Sequence, residues 1–323
     1  MLKNKKILIT GATGFVGSNL LRRCLQENAK VHIFTAAASD KWRIKGFLNR
    51  VNEHHVDLLD RKRLAKAVSK IKPDIIFHLA AYGVSALQKD VNRIIKTNFF
   101  GTMNLVNACN DVEFELFVNT GSVFEYGIKS GLLKENELPE PVSDYGASKA
   151  AATLYCQAIG KKENYPIITL RLFTPYGYYE EAQRLIPSVI ISCLNNKNPK
   201  VSSPDYVRDF IFIEDVMDAY IKAAANGKSA RREIFNIASG KKHSVGEVVH
   251  TIIKLTNDKL KPEWGSVPNY HIESKEWQAS ISKVKRLLNW QPKHNLEQGL
   301  KKTIQWFREN MDLYTDRYCH KRR

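Results

Sequence analysis

The sequence predicts an α/β protein, a doubly wound parallel sheet followed by a smaller mixed α/β lobe. Short apolar runs alternate with helical patterns over the first 173 residues. A glycine-rich stretch, GATGFVG at 11–17, follows the first apolar run directly. After Phe173 the rhythm loosens, with Pro175, Gly177, Pro187, Pro199 and Pro204 interrupting it. Strands that alternate with helices need right-handed crossovers, which build a parallel sheet with helices on both faces.

KILIT (6–10) reads as the first strand, and the helical pattern after the glycines runs through Leu25. KVHIF (30–34), EHHVDLL (53–59), DIIFHLA (74–80), FELFVNT (113–119) and PIITLRLF (166–173) supply further strands. Helical patterns fill the gaps at 61–71, 92–110 and 144–161. In the second part, 262–277 reads as loop with short strands, and amphipathic helices are expected over 282–289 and 296–313. We place the sheet domain at 1–173, rejoined by about 207–226, with 174–323 forming mainly the second lobe. Ligands of open α/β sheets sit at the carboxyl ends of the strands, so such a lobe would close over that cleft.

Composition narrows the function classes. At 43% hydrophobic and 26% charged residues, the chain suits a soluble globular protein with a large core. No apolar run approaches the ~20 residues of a membrane span. The start, MLKNKK, passes straight into the first strand without the apolar stretch of a secretory leader. A cytoplasmic protein without membrane attachment is expected. Cys24, Cys109, Cys156, Cys193 and Cys319 lie far apart in no CxxC or Cys/His pattern, which suggests free thiols and no metal site. His54 and His55 would face opposite ways on a strand, and His78, inside IIFHLAA, reads as a satisfied core histidine. The net charge of +17 attracts anions, either nucleic acid or phosphorylated small molecules. The lysines are dispersed, with denser patches at 3–6 and 320–323, and no basic motif is interleaved with aromatics. A basic surface that draws in an anionic substrate is the more economical reading, with no nucleic-acid partner.

Within GATGFVG, Gly11 would make the tight turn, Gly14 would let backbone approach a pyrophosphate, and Gly17 would let the helix pack on the strand. Thr13, Phe15 and Val16 complete this cofactor loop, with phosphates on the N–H groups of the helix start. NAD sites usually place an acid at the end of the second strand. Here Thr35 stands at that point, and Asp40 comes late. Lys41 and Arg43 could meet a 2′-phosphate instead, so NADP is preferred over NAD.

VSDYGASKAAATLYC (142–156) sets Tyr145 and Lys149 one helical turn apart among small residues. Small neighbours leave that face open to a flat cofactor. An ammonium beside a phenol favours the phenolate and brings its pKa toward neutrality. A lone Tyr/Lys pair is also found on any exposed helix, so the remaining motifs decide.

Those motifs are VDLLD (56–60), HLAA (78–81), TNFFGTMNL (97–105), NTGSVFEYG (119–127), LRLFTPYG (170–177), VRDFIFIEDV (207–216), IFNIASG (234–240) and LLNWQP (287–292). With them, nearly the whole chain resembles the extended short-chain dehydrogenase/reductase family, in its nucleotide-sugar epimerase, dehydratase and reductase branch. The resemblance implies a Rossmann-like fold, a dinucleotide cofactor and a nucleotide-diphosphate sugar as substrate. A homodimer is expected. It implies that Asp57 and Leu58 border the adenine, that Leu79, Ala80 and Ala81 line the cofactor cleft, and that Asn98 lies behind the active site and belongs to the cofactor-binding residues. Ser122 would orient the substrate oxygen and Tyr145 would be the acid/base. Lys149 would lower the phenol's pKa and hold the nicotinamide ribose. On the substrate side, Thr174 replaces the asparagine of the FNxYG motif, and Arg208 matches an arginine that grips the diphosphate. Plainer roles stay open: Ser122 as a turn residue, Asn98 as a helix cap, Arg208 as a partner of Asp209 or Asp215.

Two departures from the family pattern matter. The 4,6-dehydratases carry Asp-Glu directly after the hydroxyl residue, whereas this chain has Val123 and Phe124, with Glu125 displaced by one. Dehydration is therefore disfavoured. A second diphosphate arginine is absent from NYHIESKEWQAS (269–280), where Lys275 could substitute without bidentate geometry. The expected activity is an NAD(P)-dependent nucleotide-sugar oxidoreductase acting at C4. A 4-ketoreductase of an NDP-4-keto-hexose is preferred, and a 4-epimerase with tightly bound NAD is the alternative. A rival of another class is a non-catalytic redox sensor or RNA-associated protein, which the +17 charge suggests and the Ser122, Tyr145 and Lys149 set opposes.

Overall fold

Ile7, Leu8, Ile9 and Thr10 are all buried, as a strand covered on both faces requires. They belong to β1 (Lys6–Thr10) of a computed structural model that describes residues 1–314 apart from 86, 228 and 269–273. Cys319, the basic cluster at 320–323 and part of the 262–277 stretch fall outside the described residues.

The main sheet also contains β2 (Lys30–Thr35), β3 (Asn52–His55), β4 (Ile75–His78) and β5 (Leu116–Ser122). After β6 (Leu132–Leu133) come β7 (Ile167–Leu172), β8 (Thr174–Tyr176), β9 (Val207–Arg208), β10 (Phe210–Phe212) and β11 (Ile234–Ile237). The sheet order is β11-β7-β5-β4-β1-β2-β3, with every pairing parallel. This is the expected Rossmann-like architecture. The order reverses between β1 and β4, so their carboxyl ends open a crevice.

Successive strand residues serve opposite faces. Ile7 and Ile9 join Leu20, Leu21 and Cys24 of α1 (Phe15–Gln26), whereas Leu8 packs with Leu64 and Val68 of α2 (Arg61–Ile71). The expected helix at 92–110 is interrupted. It consists of α3 (Val91–Ile95), a π turn over Lys96–Phe100, and α4 (Gly101–Ala108). Such π segments often mark functional sites, and this one carries Asn98. α5 (Asp144–Lys162) starts where it does because Ser143 caps it, accepting from the Gly146 N–H at 3.1 Å.

The second lobe contains α6 (Leu185–Leu194), α8 (Val245–Thr256), α9 (Ser282–Leu288) and α10 (Leu296–Glu309), the last shorter than the predicted 296–313. Small parallel and antiparallel pairs complete it: β8 with β10, β9 with β12 (His243–Ser244), and β6 with β13 (Gln278–Ala279). The chain returns to the main sheet with α7 (Ile213–Asn226) and again with β11, beyond the expected 207–226. A 3₁₀ run over Trp42–Arg50 was not foreseen. Strand ends shift as well, since β5 runs three residues past the predicted 119 and ends on Ser122. Cys24, Cys109, Cys156 and Cys193 are buried free thiols. Among the described residues no helix is long and apolar enough to cross a membrane.

Gly11 is the tightest point of the crevice. Its φ of +72° lies in the left-handed region, and a Cβ there would come within 2.6 Å of the Leu79 and Ala80 backbone. A Cβ on Gly17 would lie 2.1 Å from the Gly11 carbonyl oxygen, which is how closely α1 approaches the turn. Strain and overpacking of this kind each destabilise by roughly 1–3 kcal/mol. Gly11→Ala is therefore expected to lower the urea midpoint clearly at an unchanged m-value. A wild-type midpoint would show that the turn can relax away from β4.

Candidate active site

The Gly14 N–H donates to the Gly11 carbonyl at 3.0 Å and closes the turn, and Gly14 then serves as N-cap of α1. It makes no side-chain cap bond, and no acidic residue occupies the first turn. The positive end of α1 is thus open to an anion, which suits a pyrophosphate. Phe15 and Val16 are half-buried against the core, while the Thr13 carbonyl accepts from Arg43 Nη1 at 3.3 Å. Across the crevice Leu79 and Ala80 are half-buried and Ala81 is exposed. Leu58 packs near α4, and the exposed Asp57 accepts from the Leu59 N–H at 2.9 Å.

Behind this cleft runs a chain of buried hydrogen bonds. Thr10 Oγ1 and His78 Nδ1 are 2.6 Å apart, and His78 Nε2 lies 2.8 Å from Thr102 Oγ1, which donates to the Asn98 carbonyl. That last bond makes Thr102 the acceptor from Nε2–H, leaving Nδ1 to accept from Thr10. Burial pushes the imidazole down to about 3, so His78 is a neutral, satisfied core histidine. The Asn98 amide is engaged by protein on both sides. Its Oδ1 accepts from Tyr82 N–H at 2.8 Å, and Nδ2 donates to Tyr82 O and to Ser148 Oγ. Asn98 was expected at the cofactor, yet its side chain ties the 79–84 loop to α5.

Ser122 ends β5, and Tyr145 and Lys149 lie in the first turns of α5. Burial pushes the Tyr145 phenol up to about 12, while the facing Ser122 hydroxyl and the Arg184 charge pull it down. Desolvation outweighs the Ser122 hydrogen bond and the Arg184 charge. Lys149 is itself pushed down by burial, with the Glu125 charge opposing. Val123 is buried, and the Phe124 ring meets Tyr145 edge-on at 5.7 Å and Trp277 at 5.0 Å. Neither Val123 nor Phe124 can transfer a proton.

Glu125 turns inward beneath this group. Its Oε1 accepts from the Ser122 N–H at 2.8 Å and from Thr153 Oγ1 at 3.1 Å. Its Oε2 pairs with Arg171 Nε and Nη2, both at 2.9 Å, and neither side chain is more than 1% exposed. Arg171 lies 4.3 Å over the Tyr126 ring, whose hydroxyl donates to Asn236. The sequence reading missed this pair. Its signal was an arginine amid the apolar run PIITLRLF.

On the substrate side, Thr174 is half-buried in β8. Arg208 is buried between Tyr206 and Trp277, at 5.0 and 4.5 Å from their ring centroids, and donates to the Val207 and Lys275 carbonyls. Asp209 accepts from Ser239, Gly240 and Ala279, and Asp215 from Lys293 and His294. Both acids are thus engaged away from Arg208. Rings and guanidinium run in sequence from Tyr145 through Phe124 and Trp277 to Arg208. Sequence reasoning also missed Glu180, which is buried with an unpartnered Oε2; burial pushes its carboxyl up to about 8, against the Arg184 charge.

At the end of β2, Lys41 and Arg43 do not stand ready for a 2′-phosphate. Lys41 pairs with Glu53 at 2.6 Å. Arg43 is 5% exposed and bonds the Tyr179 and Thr13 carbonyls and Glu181.

Comparison with known proteins agrees with this geometry. The model of the NAD dependent epimerase/dehydratase family matches residues 7–238. A dTDP-glucose 4,6-dehydratase of Neisseria meningitidis serogroup B is 28% identical, over 95% of this chain and 94% of that protein. The UDP-glucuronic acid 4-epimerase from Bacillus cereus, solved with UDP-glucuronic acid and NAD, superposes with a TM-score of 0.85 at 26% identity, covering 94% of this chain and 99% of that one. An epimerase from Methanothermobacter thermautotrophicus gives a TM-score of 0.88 at 26% identity, over 98% and 95% of the two chains.

Two outcomes follow from the buried charges. Glu125→Gln leaves Arg171 buried without its counter-charge, a loss expected to reach about 3–5 kcal/mol, and Glu125→Gln with Arg171→Met should regain most of it. Denaturant titration checks this, and a single variant within about 1 kcal/mol of wild type would contradict it. For Glu180, a carboxyl raised from 4.5 to about 8 binds its proton more tightly when folded. Its stabilising effect is complete below the unfolded pKa and is lost as pH rises to about 8. Glu180→Gln should therefore match the wild-type Tm at low pH and exceed it at pH above 8; parallel Tm curves would refute the assignment.

Proposed function

This chain belongs to the NAD dependent epimerase/dehydratase family, and from that premise we propose that it moves hydride reversibly at C4 of a nucleotide-diphosphate sugar, turning over as a 4-epimerase that retains NAD. One observation carries this reading. The catalytic corner offers a phenol and a hydroxyl, Tyr145 and Ser122, flanked by Val123 and Phe124. Such a site can exchange a proton at one oxygen but holds no second acid and base beside it for removing water.

The chain's own groups divide the work. Ser122 orients the C4 oxygen, and Tyr145 takes or returns the proton at its phenol oxygen. Lys149 holds the ribose next to the reacting ring, and the open N-terminus of α1 takes the pyrophosphate. When bound, the cofactor supplies the hydride acceptor and a positive charge that favours the phenolate. Arg208 grips the sugar's diphosphate and Thr174 lies beside it, so binding energy far from C4 positions the ring. Ile95, Phe100 and Leu154 are exposed on α3, the π turn and α5, and ring contacts link Phe99 to Phe100 and Tyr155. We assign the expected homodimer contact to this apolar face.

Net reduction of a 4-keto sugar is the second reading, favoured by Thr35 in place of an acid at the end of β2. Against it, the two cations expected to draw NADP are engaged by protein groups. The sensor or RNA-associated reading leaves the Ser122, Tyr145 and Lys149 arrangement without a purpose.

The purified protein should carry NAD and interconvert C4-epimeric nucleotide sugars without accumulating NADH. Tyr145→Phe should keep the dinucleotide and lose roughly 10²–10⁴-fold in kcat. Stoichiometric NAD(P)H consumption with a 4-keto sugar would replace the epimerase by the ketoreductase. Near-native turnover of Tyr145→Phe would overturn both.

A further inference from the structure

We propose that Glu53, on the third strand of the sheet, is the residue that selects NAD over NADP, in place of the acid that the second strand lacks. The inference rests on dinucleotide binding at the glycine loop, and not on the choice between epimerase and ketoreductase.

The usual acid projects from the end of β2 and accepts from the ribose 2′-hydroxyl. Thr35 occupies that end, 2% exposed and without charge. Its hydroxyl donates to Glu53 Oε1 at 2.6 Å. The parallel register sets Glu53 opposite Ile33 and His55 opposite Thr35, so Glu53 and Thr35 project from the same face. A carboxylate is thereby delivered beside the hydroxyl at the place where the acid of β2 would begin.

The charges around it are accounted for. Lys41, from the loop after β2, holds the same Glu53 oxygen at 2.6 Å, and His55 Nδ1 lies 3.8 Å away. Burial raises the Glu53 carboxyl, but Lys41 and Thr35 outweigh it and hold the group below its ordinary range. Glu53 is therefore ionised at neutral pH and able to accept from a ribose hydroxyl. A 2′-phosphate would meet this carboxylate, with Lys41 already engaged by it. Arg43, the other cation expected to meet a 2′-phosphate, is fixed by Tyr179, Thr13 and Glu181. Lys41 would have to abandon Glu53 to reach a phosphate, leaving the carboxylate exposed to it.

The test is competition at equilibrium, with the purified protein dialysed against NAD and NADP in known ratio and the bound fraction read by mass spectrometry. Wild type should favour NAD. Glu53→Gln keeps an acceptor for Thr35 but removes the charge, and should reduce that preference roughly ten- to a hundredfold, the range of one charge-assisted hydrogen bond. Lys41→Ala should retain the NAD preference, and Thr35→Asp added to Glu53→Gln should restore it. A wild type that favours NADP and loses this in Lys41→Ala would overturn the inference, with Lys41 as the phosphate ligand. An unchanged ratio in Glu53→Gln would also overturn it. If wild type bound neither dinucleotide, the cofactor reading itself would fall and the inference with it.

Discussion

A buried carboxylate, Glu125, holds the corner at which the main sheet meets α5. It caps the turn that begins at Ser122, accepts from Thr153 inside α5, and is matched by Arg171 on the neighbouring strand. A buried ion pair adds little net stability over an apolar pair of similar volume, because both ions must be desolvated. What it provides here is geometry. The turn it fixes places the Ser122 hydroxyl toward Tyr145 and sets Phe124 edge-on to that phenol. The same carboxylate opposes the effect of burial on Lys149. One side chain thus bears on the orientation of Ser122 and the charge of Lys149.

A second set of contacts joins the cofactor cleft to that corner. Thr10, His78, Thr102 and Asn98 form a buried chain running from the end of β1 to the π turn, and Asn98 reaches both Tyr82 and Ser148. Ser148 in turn donates to the Tyr145 carbonyl. The 79–84 loop and the helix that carries Tyr145 are therefore joined by the Asn98 amide. The π turn makes this possible by setting Asn98 out of the regular helical repeat. The side expected to meet substrate is built differently, from rings in edge-to-face contact that end in Arg208.

The sheet was legible because its strands are buried on both faces and read as apolar runs. The glycine loop and the Tyr145/Lys149 helix were legible because each is a local pattern with a fixed spacing. What escaped depends on partners distant in sequence. Arg43 looked like an exposed cation beside a cofactor, but its ligands lie near residue 180 and at Thr13. Glu125 looked displaced, because nothing nearby in sequence announces Arg171. For Tyr145, spacing shows that a lysine is near, whereas desolvation depends on everything packed around the phenol. β11 was missed as a sheet strand because only its pairing with β7 distinguishes it from a loop run.

The account stands or falls on chemistry at C4. The most direct measurement follows deuterium placed at C4 of a nucleotide hexose through a turnover in ordinary water, read by NMR of the product. Hydride transfer by the Tyr145 site predicts that the label stays on C4 in the epimerised sugar. Label found at C6 would mean that water is being removed, and would contradict a site in which Val123 and Phe124 replace the acid and base.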